Sequence, residues 1–227
     1  EEQAEPEAPP LSEQHEPIVA VLREALGDGV IDAVTNHGRL VVRVANEAWV
    51  QAAEVARDRL DCEYLSFISG IDWQPRDLPP TEDPSAPSIP VQPDEVTYGV
   101  TGSAGRFQVF ACVESTERHR EIILKADVDE ANPRIGSWVP VFAGADWHER
   151  ECWEMFGIVF DGHPSLRHLY LPSEFEGHPL RKDFPLLARE VKPWPGLVDV
   201  ETMPDDLAAD DSAEGATVGA EGGDESA

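Results

Sequence analysis

Residues 147–186, WHERECWEMFGIVFDGHPSLRHLYLPSEFEGHPLRKDFPL, constrain the fold more than any other stretch of the chain. Two Gly-His-Pro tripeptides, at 162–164 and 177–179, break it into short extended pieces. Each proline lacks an N–H and biases the residue before it away from helix. Such a segment cannot satisfy its own main-chain polar groups, so it has to lie against another surface. What comes before it reads as a helix. Asp146 and Glu149 match a D-x-x-E capping box. Cys152, Trp153 and Phe156 form an apolar stripe at helical spacing. Gly157 stands where a left-handed C-terminal cap belongs.

The remaining sequence supplies a scaffold for this segment. A helix is expected from Pro17, a good first-turn residue, with Ile18, Val21, Leu22 and Ala25 on one face and Gly27 and Gly29 at its end. Residues 40–45 (LVVRVA) read as a strand. Asn46 is expected to cap a second helix over 47–60, whose apolar set is Trp49, Ala52, Ala53, Ala56 and Leu60. Residues 64–73 read as another strand. Residues 96–100 and 107–113 are expected to pair as a hairpin across 101–106. Residues 122–127 alternate like a further strand, and 133–139 read as a short turn. The order implies an α+β fold: a mostly antiparallel sheet with helices on one face, followed by a long extended C-terminal arm and disordered acidic tails.

The domain plan follows from composition. Residues 1–16 carry six acids and 201–227 carry nine, with no Lys or Arg in either. A net charge of −28 for the chain therefore falls to about −13 for the rest. The expected units are an acidic N-terminal tail at 1–16 and an α+β domain at 17–146. The domain carries a Pro-rich insertion at 74–95, with seven prolines and five acids. The signature helix and arm follow at 147–199, and a second acidic tail occupies 200–227. An acidic chain is a poor match for nucleic acid, which needs a basic stripe. No apolar run approaches the ~18 residues that would suggest a membrane span, and no leader is expected. Three cysteines, Cys62, Cys112 and Cys152, show no C-x-x-C and imply reduced thiols, with neither a disulfide framework nor an iron–sulfur site in this chain.

Several chemistries can be weighed on the signature segment. His148, Cys152, His163, His168 and His178 lie within 31 residues, and His148 and Cys152 stand at i, i+4. The prolines beside the later histidines fix backbone more than they aim imidazoles, and no H-E-x-x-H occurs. Glu149 and Glu151 flank Arg150, but residues two apart on a helix face different ways and cannot converge on one bond. No G-x-S-x-G, phosphate loop or dinucleotide fingerprint is present. The apolar side chains of the arm include Leu166, Leu169, Tyr170, Leu171, Phe175, Leu180, Phe184 and Leu186. Set between Pro, Gly and basic residues, they make a poor core and a good wrapping surface. Glu149, Arg150, Glu151, Arg167, Arg181, Lys182 and Asp183 are candidates for buried or interfacial ion pairs.

Three blocks together, Glu149–Ile158 (ERECWEMFGI), Gly162–Arg167 (GHPSLR) and Glu176–Pro185 (EGHPLRKDFP), resemble the C-subunit family of bacterial NADH–quinone oxidoreductases, respiratory complex I. The resemblance spans about 18–195 and is strongest over 147–186. Glu154 stands where that family usually has Asp, and His168 where a second Arg is common. The resemblance implies a cofactor-free structural and assembly subunit of the peripheral arm, on the cytoplasmic side of the cell membrane. FMN and iron–sulfur clusters would then belong to partner subunits, and the arm would lie along the D subunit near the iron–sulfur subunits. It marks Glu149, Arg150, Glu151, Phe156, Gly157, Gly162, His163, Pro164, Arg167, Gly177, His178, Pro179, Arg181, Lys182 and Asp183 as structural or interface residues. No catalytic, cofactor-binding or metal residue is expected. The alternatives are a homologous scaffold in a membrane-bound hydrogenase-type complex, and a metal-dependent hydrolase built on His148, Cys152 and the glutamates.

Overall fold

A computed structural model of the chain describes residues 11–74 and 99–185. Residues 1–10, the Pro-rich insertion beyond Gln74, the expected strand start at 96–98, the arm beyond Pro185 and the second acidic tail lie outside the described residues. Helix α1 (Glu16–Leu26) carries Pro17 in its first turn and buries Ile18, Val19 and Leu22. Residues 11–15, expected to belong to the tail, are part of the fold. The N–H of Ser12 donates to Thr35 Oγ1 at 2.9 Å, and the buried His15 ring meets the same hydroxyl at 2.9 Å.

Strands β1 (Val30–Asn36) and β2 (Arg39–Val44) form a tight hairpin. Its two loop residues, His37 and Gly38, both have positive φ, at 48° and 80°. That is the geometry whose twist matches paired strands. Helix α2 (Trp49–Leu60) buries Trp49, Ala52, Ala53, Val55, Ala56 and Leu60. Asn46 does not cap it. Its amide donates instead to the carbonyls of Asp127 and Arg134, tying a short 3-10 turn to the sheet.

Strands β3 (Tyr64–Asp72), β4 (Phe107–Ser115) and β5 (Arg120–Val128) complete a five-stranded sheet in the order β1-β2-β5-β4-β3. All pairs are antiparallel except β2–β5, which is parallel. Both edges of β4 are taken, by β3 and by β5, which leaves no free edge among the described residues for the expected hairpin with 96–100. Gly99 and Val100 lie in a turn instead. A short parallel pair, β6 (Arg134–Gly136) and β7 (Val159–Asp161), replaces the expected turn at 133–139 and brackets helix α3 (Ala145–Phe156).

Alternation along the strands puts Leu40, Val42, Val44, Val109, Ala111, Val113, Ile122, Leu124 and Ala126 in one core with α1, α2 and α3. Trp49 stacks on Trp138 at 4.3 Å within it. Helix α3 packs tightly on the sheet at Gly70. A Cβ there would lie 2.9 Å from the Phe156 ring and 3.2 Å from Cys152 Sγ. The missing side chain lets helix and strand touch.

Candidate functional site

The site is the joint between α3 and the segment that follows it, which runs without regular structure from Gly162 to Pro185 and is called the strap below. Helix α3 presents three faces. Cys152 and Phe156 enter the core beside Gly70. Arg150 and Glu154, one turn apart, face the strap. Trp147, His148 and Glu151 face outward along a groove.

Glu149, expected as half of a capping box, does not reach the helix start. The helix begins after Gly144 with no side-chain cap. The Glu149 carboxylate is fully buried and accepts from Ser137 Oγ at 2.6 Å and from the Trp138 N–H at 2.5 Å. It therefore pins the 137–138 turn to the helix. Burial pushes its pKa up to about 7, the bonds from Ser137 and Trp138 oppose that rise, and the nearby Asp146 charge adds to it.

On the strap face, Arg150 is buried and donates through Nε and Nη2 to the carbonyls of Arg167 (3.2 Å) and His168 (3.1 Å). Its Nη1 lies 3.6 Å from Asp146. Glu154 is 2 % exposed and gathers the next three residues. Its carboxylate accepts from the N–H groups of Leu169 (3.2 Å), Tyr170 (3.0 Å) and Leu171 (2.7 Å), and from His168 Nδ1 (3.0 Å). Burial alone would raise its pKa. The Tyr170 and Leu171 N–H groups, His168 and the Leu169 N–H outweigh it and hold the carboxyl below the usual range. His163 has a fully buried side chain. Its Nδ1 accepts from the Ser165 N–H at 3.0 Å, which leaves the Nε2 proton to donate to the Asp146 carbonyl at 3.2 Å.

The second Gly-His-Pro block closes the other end of the helix. An α-helix leaves its last four carbonyls without internal donors. Here all four are met. Trp153 O accepts from the Gly157 N–H at 2.8 Å, and Glu154 O from His178 Nδ1 at 2.9 Å. Met155 O accepts from the Leu180 N–H at 3.1 Å, and Phe156 O from Arg181 Nε at 2.6 Å. Gly157 adopts φ 73° as the left-handed cap, and a Cβ on it would fall 2.5 Å from both Arg181 Nη2 and His178 Nε2. The glycine is needed twice, for its backbone and for the space over it.

Past that cap the strap reaches the end of the sheet. Asp72, 4 % exposed, takes a two-pronged contact from Arg106, at 2.9 and 2.8 Å, and the Lys182 N–H at 2.8 Å. Arg106 also pairs with Asp183 at 3.0 Å. The guanidinium groups of Arg106 and Arg181 both lie over the Phe107 ring, with their centres 4.6 and 4.9 Å from its centroid. Phe175 stacks on Phe184, which lies over Gly177.

The expected ion pairs therefore sort differently among the described residues. Arg150 and Asp183 do pair with carboxylate or guanidinium partners. Glu149 and Arg181 bond uncharged groups, Lys182 uses its main-chain N–H, and Arg167 uses its carbonyl. Glu151 has no ion pair. Gly162 and Gly177 have φ of 88° and 92° at the two breaks, while Pro164 is exposed and Pro179 half-buried. Glu154, Asp72 and Arg106 join the site without being among the residues expected from the sequence. Glu154 is signalled as the second glutamate one turn beyond Arg150; nothing local marks Asp72 or Arg106, which meet the strap only through the tertiary fold. His148 and Cys152, the candidate chelating pair, separate: His148 lines the outer groove, and Cys152 is buried against the sheet with its thiol pushed up by burial. Among the described residues no three His, Cys, Asp or Glu side chains converge as a metal-binding group.

Comparison with known proteins fits this joint. The family model described as "Respiratory-chain NADH dehydrogenase, 30 Kd subunit" matches residues 42–190. The chain is 36% identical over 172 residues to the C subunit of NADH-quinone oxidoreductase from Roseiflexus sp. (strain RS-1), covering 75% of this chain and 83% of that one. It is 50% identical over 91 residues, 40% of its length, to the C/D subunit of NADH-quinone oxidoreductase from Photorhabdus laumondii subsp. laumondii, but spans only 15% of that longer protein. A chain of the membrane-bound sulfane sulfur reductase (MBS), an archaeal respiratory membrane complex, shares the fold alone. Its TM-score is 0.53 over 78% of this chain and 88% of that chain, at 17% identity. With the family model reaching from β2 through the strap, and a relative matched over three quarters of this sequence, the chain belongs to the respiratory-chain NADH dehydrogenase 30 kDa subunit family, that of the C subunit of NADH–quinone oxidoreductase.

Proposed function

We propose that the chain is a structural and assembly subunit in the peripheral arm of a proton-translocating NADH:quinone oxidoreductase, and that it holds no cofactor of its own. Electrons would pass from NADH through FMN and iron–sulfur clusters to quinone in partner subunits, on the cytoplasmic side of the cell membrane. One observation carries the non-catalytic reading. The polar side chains that look most like chemistry in the signature, Arg150, Glu154, His163, His178 and Arg181, are all engaged by main-chain groups of α3 and the strap. A side chain held this way positions backbone; it is not poised to meet a substrate.

A relative that carries both the C and D letters in its name supports the D subunit as an immediate partner; neighbouring iron–sulfur subunits are the further partners proposed. A peripheral placement fits the described residues, in which no helix is long and apolar enough to cross a membrane. The fold also occurs in another kind of respiratory membrane complex, so fold does not choose the machine. The identity to the C subunit of an NADH-quinone oxidoreductase over most of the chain favours the NADH-linked machine over a hydrogenase-type complex.

The test is an affinity-tagged purification from mildly solubilised membranes, run on a native gel stained for NADH oxidation. The expected result is co-migration with a very large NADH-active band containing flavin and iron–sulfur subunits. A discrete small species with bound metal and no partners would overturn the proposal.

A further inference from the structure

The signature helix divides its polar side chains into two groups. Those facing the core and the strap are engaged, as described above. Those on the third face are not. The side chains of Trp147, His148, Glu151 and Tyr170 make no hydrogen bond or ion pair among the described residues. They line one groove, together with Asp146 and Leu169, with a volume of about 540 Å³. Trp147 and Glu151 stand one helical turn apart, and Tyr170 comes from the strap limb held by Glu154. Trp147 is 68% exposed and Tyr170 64% exposed, two of the five large apolar or aromatic side chains so presented among the described residues.

Three features of the groove narrow the occupant. First, none of the eight residues lining the groove is buried and four are exposed, which makes it a shallower seat than a dedicated small-ligand pocket, where roughly 70–90% of the ligand surface is covered. Second, Trp and Tyr beside an unengaged carboxylate form the composition of an interface anchor point, where aromatic side chains supply area at little entropic cost. Third, the charge is negative: Glu151 has no cation, and Asp146 answers only the distant Nη1 of Arg150 and the His163 ring. A planar guanidinium satisfies such a site best, stacking on an indole or phenol face while its fork meets a carboxylate.

We infer that the Trp147–Glu151–Tyr170 groove is a docking surface for an arginine-bearing segment of an adjacent subunit of the same complex, the guanidinium lying against the aromatic rings and pairing with Glu151. The groove rests on the scaffold reading above. Its rigidity comes from the strap. Glu154 fixes Leu169 and Tyr170 through their N–H groups, so one wall of the groove is set before the partner arrives.

The experiment uses the intact complex, purified through a tag on this chain. A photoreactive phenylalanine analogue replaces Trp147, and the cross-linked peptides are sequenced by mass spectrometry. In parallel, Glu151→Arg is compared with wild type and with Glu174→Arg, a charge change of the same kind on an exposed part of the strap. The expected result is a cross-link to a peptide of another subunit that contains an arginine. Glu151→Arg should cut the yield of assembled complex by about tenfold or more, because it sets like charges together at an interface, while Glu174→Arg should not. Reversing the cross-linked arginine to glutamate in the partner should restore assembly of Glu151→Arg. If wild type assembles and Glu151→Arg assembles equally well, the groove proposal fails and the scaffold reading stands. Cross-links confined to this chain would also overturn the groove. A wild-type chain that brings down no partner subunits would overturn the scaffold reading and the groove with it.

Discussion

Two buried carboxylates of α3, five residues apart, respond to pH in opposite directions. Glu154 is held as a carboxylate by four donors, so its folded pKa lies below its unfolded one. The stability it contributes is present above the unfolded value and is lost as pH falls through the folded one. Glu149, with a folded pKa of about 7, binds its proton more tightly in the native state. Its contribution is fully present below the unfolded value near 4.5 and is lost as pH rises toward 7, with a slope of at most about 1.4 kcal/mol per pH unit. Glu149→Gln keeps an acceptor for the Trp138 N–H and removes the titration. We expect its unfolding free energy to stay close to wild type at pH 5 and to exceed it at pH 8, measured by chemical denaturation at both values. An identical pH dependence in the two proteins would show that Glu149 ionises freely. Glu154→Ala would strand three N–H groups on the strap. It should cost about 3 kcal/mol, a fall in Tm of roughly 10 °C for a chain of this size. Glu154→Gln should recover part of that loss, since one amide oxygen can still accept.

At the scale of elements, the strap and α3 are one unit: each half completes the hydrogen bonds of the other. Gly157 is the test position, because any side chain there would meet both φ 73° and the Arg181 and His178 side chains. Gly157→Ala should destabilise by about 2 kcal/mol and speed limited proteolysis between 162 and 185, with little change in protection of the sheet. Much of this architecture is legible in the sequence, and the reasons differ from element to element. The Gly157 cap, the Cys152 and Phe156 stripe and the strand centres of β2, β3, β4 and β5 follow from local spacing. The need of the 162–185 segment for another surface follows from its prolines. Strand β1 does not stand out, although Asn36-His37-Gly38 carries a hairpin signal; its sequence, VIDAVTN at the sheet edge, lacks clean alternation. The misplaced hairpin of 96–100 and the misread cap at Asp146–Glu149 share one cause. Both are locally reasonable and lose to tertiary partners, the β3 edge in one case and the 137–138 turn in the other. Glu154 stands at a readable helical spacing from Arg150, but its partners, like those of Asp72, appear only once the strap is in place, since both bind backbone brought from 15 and 110 residues away.

For the whole molecule, the consequence is a division of labour along one helix. The inward faces of α3 hold the fold and the strap together, and its outward face is left for a neighbour. The central claim is that the signature residues serve architecture, so damage to them should appear in how much complex forms and leave its rate unchanged. Arg181 joins the α3 cap, the Phe107 ring and the end of the sheet, and it touches none of the outward groove. The most direct measurement is NADH:quinone reductase activity of Arg181→Ala membranes, divided by the amount of assembled complex quantified on native gels. We predict that assembled complex and total activity fall together, leaving activity per complex at the wild-type value. Full assembly with a loss of activity per complex would contradict the account and assign Arg181 a part in the chemistry.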